Sequence, residues 1–237
     1  MNQYPSIIST YQRIFKLCAE CFSWSLPFIT FSFLITHFIF TPDLKVRLID
    51  GTINKNEIMA LSLTFFCGLL CSCITTYGIF RKFHFNTLNY SEALKNGLKR
   101  LPAYVTSVIL RIIPAISIFF SFMIMTKYQS GLLLTSLILL TLIGTLLSVF
   151  LTVYCCASNV LIINKEMGAL EGLKQSFRLI NNNAFKTSLL LLPTLILPIF
   201  LQNFDMIGQI VSAIFSCLLF PALLIIHCDQ LEKIKTV

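Results

Sequence analysis

The sequence predicts an all-α polytopic membrane protein with six transmembrane helices and short interfacial helices on the cytoplasmic face. Of the 237 residues, 56% are hydrophobic and only 12% are charged, against roughly a quarter charged in soluble globular domains. The mean hydropathy is +0.82. Long apolar runs alternate with short polar segments that hold nearly all the charges, which excludes a soluble enzyme, a disordered chain and a secreted disulfide scaffold.

Six apolar runs are long enough to cross a bilayer, which takes ~20 residues at about 1.5 Å rise per residue. The first run has no small-x-small cleavage site and is predicted to be an uncleaved span. The fourth is too long for one upright span and too short for two, and is predicted to form one long, tilted or protruding helix. The predicted spans are residues 21–40, 58–80, 101–126, 131–163, 187–204 and 206–228.

The residue types at the ends of these runs are those expected at the boundaries of membrane spans. Trp24 lies near the start of span one, where an interfacial aromatic belt is expected. Span two stops at Arg81 and Lys82, and span three contains Arg111 and ends at a short polar turn. A polar segment after span four leads into span five, which holds two prolines, and span six precedes a short charged tail. Proline is tolerated inside spans because neighbouring groups satisfy the freed backbone.

The distribution of Lys and Arg predicts that both termini are cytoplasmic. With the N-terminus inside, the inner segments hold 13 of the 18 Lys and Arg and the outer segments hold four, while Arg111 lies within span three. Cytoplasmic loops of membrane proteins carry such an excess. The net charge of +8 is spread over these loops with no long basic arm, so we assign it to topology and predict no nucleic-acid partner.

A short repeat predicts interfacial helices on the inner side. Residues 93–99 match residues 172–178 position by position, and the same offset of 79 places Pro114 on Pro193. Apolar residues recur at helical spacing in both stretches with basic residues opposite, which is the interfacial pattern. A weaker third copy precedes span one, so three units are predicted, each an interfacial helix followed by a transmembrane hairpin. The predicted contacts to anionic phospholipid headgroups are Lys95, Lys99, Arg100, Lys174 and Arg178.

Arg111 is a further candidate for a lipid or anion contact. It lies ~15 Å along the helix from Leu101, and an arginine within a membrane span is costly enough to mark a functional site. Two interpretations stay open. In the first, Arg111 holds an anionic headgroup or substrate; in the second, the span begins later and the side chain snorkels to the inner surface.

Span four carries a stripe of hydroxyl side chains at helical spacing, formed by Thr141, Thr145, Ser148 and Thr152. Such a stripe lines a polar pathway in some membrane proteins. In others the hydroxyls bond to their own backbone, and small residues such as Gly144 let the helices approach closely. Both interpretations are compatible with the sequence.

The sequence gives little evidence for a metal site or a catalytic site. Most of the nine cysteines lie in apolar runs and are expected to be reduced. Cys18, Cys21, His227 and Cys228 are suitable ligands for zinc or an iron–sulfur cluster, but the two pairs lie far apart in sequence, so no metal or cofactor is predicted. Nucleotide-binding and hydrolase motifs are missing and the ten carboxylates are scattered, so no enzyme is predicted.

The segment from Val153 to Leu192 has a recognisable order. A span with a valine- and leucine-rich end is followed by the turn Lys165–Gly168, by an amphipathic helix with Leu173, Ser176 and Leu179, and by another span. This pattern resembles the bacterial YciC-like inner-membrane proteins and the membrane domain attached to some glycerophosphodiester phosphodiesterases. The resemblance implies a six-span inner-membrane protein without catalysis, because the phosphodiesterase activity of those relatives belongs to a separate soluble barrel.

These observations predict a non-enzymatic, multi-pass inner-membrane protein that supports membrane or envelope organisation through contacts with anionic lipid. The alternative is a transporter or lipid-handling permease that uses Arg111 and the hydroxyl stripe of span four as a polar path. The two hypotheses differ in whether these residues face one another around a cavity. No protein partner is predicted from the sequence, and a homo-oligomer stays open.

Overall fold

The computed structural model describes residues 6–39, 54–125, 131–201 and 205–235, and all regular structure in these ranges is helical. The predicted ends of spans one, three and five, at Phe40, Thr126 and Phe204, lie outside the described residues. The helices are α1 (Ile7–Ile39), α2 (Lys55–Phe85), α3 (Tyr90–Met125), α4 (Gly131–Tyr154), α5 (Ser158–Asn164), α6 (Ala169–Ile180), α7 (Ala184–Leu201), α8 (Asp205–Ile214) and α9 (Phe220–Lys235).

Five stretches of these helices have the length and composition to cross a membrane: Ile7–Ile39, Lys55–Phe85, Tyr90–Ile118, Thr135–Asn164 and Met206–Ile234. The last of them passes through α8, a π-helical turn at Phe215–Leu219 and α9. It is the central helix of the bundle, since every residue from 221 to 228 is buried. Helices α1, α2 and α5 pack against it, and the spans turn many large apolar side chains outward, as lipid-facing helices do.

Thr135–Asn164 forms one candidate span, in agreement with the prediction of one long helix over residues 131–163, but the helix is interrupted. A turn at residues 155–157 separates α4 from α5. At this turn the Ser158 N–H donates to the carbonyl of Cys155 at 3.1 Å, and the Ser158 hydroxyl donates to the same carbonyl at 2.7 Å. The hydroxyl thus satisfies a carbonyl that the interruption removes from the regular helix pattern.

Before span three, one helix replaces the two that the sequence predicted. The sequence predicted a separate interfacial helix there, whereas α3 runs from Tyr90 through both the basic stretch and the span. Pro102 lies inside this helix without ending it. A continuous helix keeps its backbone groups paired, so a break here would leave carbonyls and N–H groups to be satisfied in another way.

The repeat is visible in the helix order. Helices α3 and α6 begin at Tyr90 and Ala169, at the predicted offset, and each follows a turn of four residues. Each turn contains one residue with left-handed backbone, Asn86 at φ 55° and Glu166 at φ 56°. The copies differ afterwards, because α6 ends in a 3-10 turn of three asparagines before α7 begins. Asparagine side chains compete with backbone hydrogen bonds, which favours such an interruption.

One end of the bundle gathers charged residues, and we call it the basic end. It is defined by the ion pairs Lys82–Glu20, Arg81–Glu92, Arg100–Glu166 and Lys165–Glu232. The pairs join α1 to α2, α2 to α3, α3 to the turn before α6, and that turn to α9. The segments that the Lys and Arg distribution placed on one side of the membrane therefore lie at one end of the bundle.

Trp24 is buried inside the bundle, and its position in an interfacial aromatic belt stays a prediction. The residue is 5% exposed, and its ring packs against α2 and α3. It stacks on Tyr90 with 5.3 Å between the ring centroids, and it contacts Phe28 at 5.4 Å. The indole fits because Gly78 of α2 leaves the space that a side chain would occupy.

Candidate functional site

Arg111 directs its side chain into the bundle. It lies on α3 at about 16 Å beyond Arg100, at ~1.5 Å per residue, and is half-buried. Its Nε donates to the carbonyl of Ser107 at 3.3 Å, Nη1 to the carbonyl of Cys155 at 3.5 Å, and Nη2 to Oδ1 of Asn159 at 2.8 Å. The guanidinium is therefore held by the neighbouring helices and does not snorkel to the basic end.

Two of the three acceptors of Arg111 come from the interruption between α4 and α5. The Cys155 carbonyl lies in the turn, and Asn159 is on the first turn of α5. A continuous helix would use the Cys155 carbonyl for its own backbone bond. The break in the helix and the position of the arginine thus fit each other, since one supplies acceptors that the other requires.

Four residues form a polar group that we call the arginine cluster: Ser107, Arg111, Ser158 and Asn159. The hydroxyls of Ser107 and Ser158 lie 3.0 Å apart, and Ser107 also donates to Oδ1 of Asn159 at 3.5 Å. Both serines are 0% exposed and Asn159 is 5% exposed. The two serine hydroxyls and Oδ1 of Asn159 each have a hydrogen-bond partner, as buried polar groups require.

The positive charge of Arg111 has no anionic partner among the residues that the structure describes. The atoms that accept from it are carbonyl and amide oxygens, and no described carboxylate lies within 4.0 Å. A guanidinium has five N–H donors, and the protein engages at most three of them here. A charge in a membrane span normally has a counterion or faces a polar cavity. The arrangement can therefore accept an anion.

A cavity of about 230 Å³ lies beside the guanidinium. Its polar lining consists of Arg111, Ser148 and Thr152. The structure thus brings half of the predicted hydroxyl stripe to the arginine. The rest of the lining is apolar or weakly polar, formed by Val108, Ile112, Ala115, Cys156 and Phe220.

The hydroxyl stripe also bonds to its own helix. Thr141, Thr145 and Thr152 each donate to the carbonyl four residues earlier, at 2.7–2.8 Å. Gly144 packs closely on α3, because a Cβ there would lie 2.8 Å from Cγ1 of Ile118. Backbone bonding is therefore confirmed for the three threonines, and the last two members of the stripe line the cavity.

The basic residues predicted to contact lipid divide into two groups. Lys95, Lys99, Lys174 and Arg178 are exposed. Arg100 differs, because its side chain is only 14% exposed and pairs with Glu166. The Arg100 guanidinium lowers the pKa of the Glu166 carboxyl, first by hydrogen bonding and then by charge. Arg100 therefore connects α3 to the turn before α6.

The amphipathic stretches bury small residues as well as large ones. The buried residues of α6 are Gly172, Ser176, Leu179 and Ile180, and the Ser176 hydroxyl donates to the carbonyl of Tyr154 at 2.9 Å. Small residues bury because they let α6 approach its neighbours closely. The larger residues Leu170 and Phe177 are instead exposed, on the same side as the basic residues.

The first stretch follows the same rule. Ala93 and Gly97 of α3 are buried, and a Cβ on Gly97 would lie 3.0 Å from Cγ1 of Ile74 in α2. Leu94 and Leu98 are 47% and 46% exposed beside the two lysines. Each stretch therefore presents a mixed face, in which large apolar side chains are exposed beside basic ones.

The four residues considered as metal ligands are not brought together. Within the described ranges no three His, Cys, Asp or Glu side chains form a group that could hold a metal ion. Cys18 Sγ lies 4.0 Å from the carbonyl of Leu218, and Nε2 of His227 lies 2.9 Å from the hydroxyl of Thr187. All nine cysteines are free.

Sequence reasoning missed Ser107, Ser158 and Asn159. A signal was present, because Ser158 and Asn159 are adjacent polar residues in a run that is otherwise strongly apolar.

In comparisons with protein families, curated proteins and solved structures, none matches the chain. The expected likeness to YciC-like proteins therefore stays a prediction.

Proposed function

We propose that the chain is a multi-pass membrane protein that binds an anionic ligand at Arg111 and acts in transport or lipid handling. The observation that supports this most directly is the cavity, in which Arg111, Ser148 and Thr152 face the same space. A guanidinium pairs with carboxylate or phosphate oxygens through parallel N–H donors, and hydroxyls add further hydrogen bonds.

The proposal assigns binding and not catalysis. The polar groups around the cavity are a guanidinium, an amide and hydroxyls. A general base needs a pKa near the working pH, and none of these groups has one. The chemistry of the lining thus favours a ligand that is held and released unchanged.

We place the protein in the bacterial inner membrane with six spans and both termini in the cytoplasm. The five spans of suitable length and the excess of Lys and Arg at the basic end support this topology. Helix α7 (Ala184–Leu201) is the sixth span in this proposal. The basic end then faces the cytoplasm.

Native mass spectrometry of detergent-purified protein tests the proposal. The wild type is compared with Arg111→Met, which removes the charge, and with Asn159→Asp, which puts a carboxylate where the amide now accepts from Nη2. Both changes are expected to abolish retention of a bound anion, because charge-assisted hydrogen bonds contribute about 1.5–3 kcal/mol each. Asn159→Asp is the more specific test of charge, since it keeps the arginine and the shape of its partner.

The control is Lys55→Met, a change of an exposed cation outside the bundle core. It is expected to leave the bound species unchanged. Equal small-molecule or lipid content in the wild type, Arg111→Met and Asn159→Asp would contradict the proposal and leave Arg111 as a structural residue.

A second function, organisation of the membrane through anionic lipid at the basic end, has its own support. The mixed faces of α3 and α6 expose leucine or phenylalanine beside lysine or arginine. At the headgroup level, apolar side chains enter the acyl boundary while the cations attract phosphates, at about 1 kcal/mol per Lys or Arg.

Neutralising these cations is expected to reduce the preference for anionic lipid. The variant carries Lys174→Gln and Arg178→Gln, and the measurement is the ratio of phosphatidylglycerol to phosphatidylcholine that copurifies from mixed bilayers. At roughly fivefold per cation as an upper value, the ratio falls clearly below that of wild type. Lys55→Gln is the control. An unchanged ratio in the double variant would argue against this second function.

A further inference from the structure

The cavity beside Arg111 is closed toward the basic end. The arginine cluster lies on that side, and its serines are 0% exposed and Asn159 is 5% exposed. Tyr104, one turn before Ser107 on α3, is 3% exposed and its hydroxyl lies 2.7 Å from that of Ser72. Packed side chains thus separate the cavity from water at this end.

In the other direction along the helices, the described residues of α3 and α4 approach closely just beyond the cavity. One turn beyond Ser148, Gly144 brings α4 against α3, where its Cβ position lies 3.3 Å from Oγ of Ser117 and 3.4 Å from the carbonyl of Pro114. The inner wall is Cys156, which is 1% exposed. An aqueous path from this side would have to pass between two helices in contact.

The remaining side faces the surface of the bundle. Ala115 lines the cavity and is exposed, and its neighbours Ile113 and Ile116 are 52% and 45% exposed. On α4, Leu147 and Val149 flank Ser148 and are 45% and 57% exposed. These apolar side chains belong to the surface that meets acyl chains in a bilayer. The opening is therefore lateral.

We infer that the ligand of Arg111 is the phosphate group of a glycerophospholipid that enters sideways from the bilayer. This inference rests on the proposed function and names its ligand class. The guanidinium pairs with the phosphate oxygens, the hydroxyls of Ser148 and Thr152 lie beside them, and Ile112, Ala115 and Phe220 contact the apolar part. A cavity of about 230 Å³ is smaller than the roughly 300–1,000 Å³ of drug-sized sites, so it takes the headgroup while the acyl chains stay outside.

The test compares three probes that divide the ligand into its parts. Delipidated protein in neutral detergent is titrated with dioleoyl phosphatidic acid, with dioleoylglycerol, and with inorganic phosphate, and the shift in unfolding temperature is measured. Phosphatidic acid is expected to raise that temperature, and neither part alone is expected to do so. Asn159→Asp is expected to weaken phosphatidic acid binding about tenfold or more, because it neutralises the guanidinium without removing it.

A second pair of variants tests lateral entry while Arg111 itself is left unchanged. Ala115→Trp fills the opening and is expected to abolish the effect of phosphatidic acid. Ile138→Trp changes an exposed residue of α4 more than two turns beyond Ser148 and is expected to leave the effect intact. If Ala115→Trp fails to fold, the comparison of the three probes with Asn159→Asp still decides the question.

The outcomes separate the two levels of the proposal. If inorganic phosphate stabilises the wild type as well as phosphatidic acid does, and Asn159→Asp loses both effects, the ligand is a soluble anion: the inference fails and the proposed function stands. Equal stabilisation by dioleoylglycerol and phosphatidic acid would show that the phosphate is not recognised, which overturns the inference. If no anion acts through Arg111, both fail.

Discussion

Replacing Gly78 by leucine is expected to destabilise the folded protein by about 3 kcal/mol, at the upper end of the range for overpacked cores. A Cβ at this position would overlap the ring of Trp24. That ring cannot move aside easily, because Phe28 and Tyr90 pack against it and the Tyr90 hydroxyl donates to the Trp24 carbonyl at 2.9 Å. The substitution forces α1 and α2 apart.

The chain offers a matched control on the same helix. Gly68 of α2 has no atom within 4 Å of its Cβ position, so Gly68→Leu is expected to change stability little or to raise it through helix propensity, by up to about 1 kcal/mol. Thermal unfolding in detergent measures the difference. Trp24 is the only tryptophan, so its emission reports the ring directly. Equal unfolding temperatures and emission spectra for the two variants would contradict the observed packing.

Hydropathy predicted where the long helices lie, because a membrane span must be apolar over its whole length. It did not predict where helices break or continue. The turn at residues 155–157 lies in a stretch, residues 145–167, that has no proline or glycine. The Cys155 carbonyl in this turn accepts from the nearby Ser158 and also from Arg111, which is far away in sequence. Hydropathy alone does not locate an interruption that depends in part on a distant partner.

The site was predicted in part for the same reason. Arg111 stood out by itself, because charge in an apolar run is costly wherever the side chain points. Its partner Asn159 did not, since periodicity cannot define an inward face in a run that is apolar all round. The sequence also did not show which residues of α6 pack inside, since Gly172 and Ser176 are buried together with Ile180 while Leu170 is exposed.

The interaction between Arg111 and Asn159 gives the second large prediction. Asn159→Leu is expected to lower stability by about 2–3 kcal/mol, because it removes the acceptor at 2.8 Å from Nη2 and leaves the guanidinium poorly solvated. The Ser107 hydroxyl loses a contact at 3.5 Å as well. The measurement is the unfolding temperature of purified protein, compared with that of Asn159→Asp, which keeps an acceptor for the arginine.

A double-mutant cycle separates the energy of the Arg111–Asn159 interaction from the effect of changing the shape of the side chains. Arg111→Leu combined with Asn159→Leu removes both partners, and the replacement of both members of a buried polar pair by apolar residues is often nearly neutral. The double variant is therefore expected to be more stable than Asn159→Leu alone. Contact pairs of this kind show coupling of about 0.5–3 kcal/mol. Additive effects would mean that the arginine does not depend on Asn159, and that the charge is satisfied from the cavity side even without a ligand.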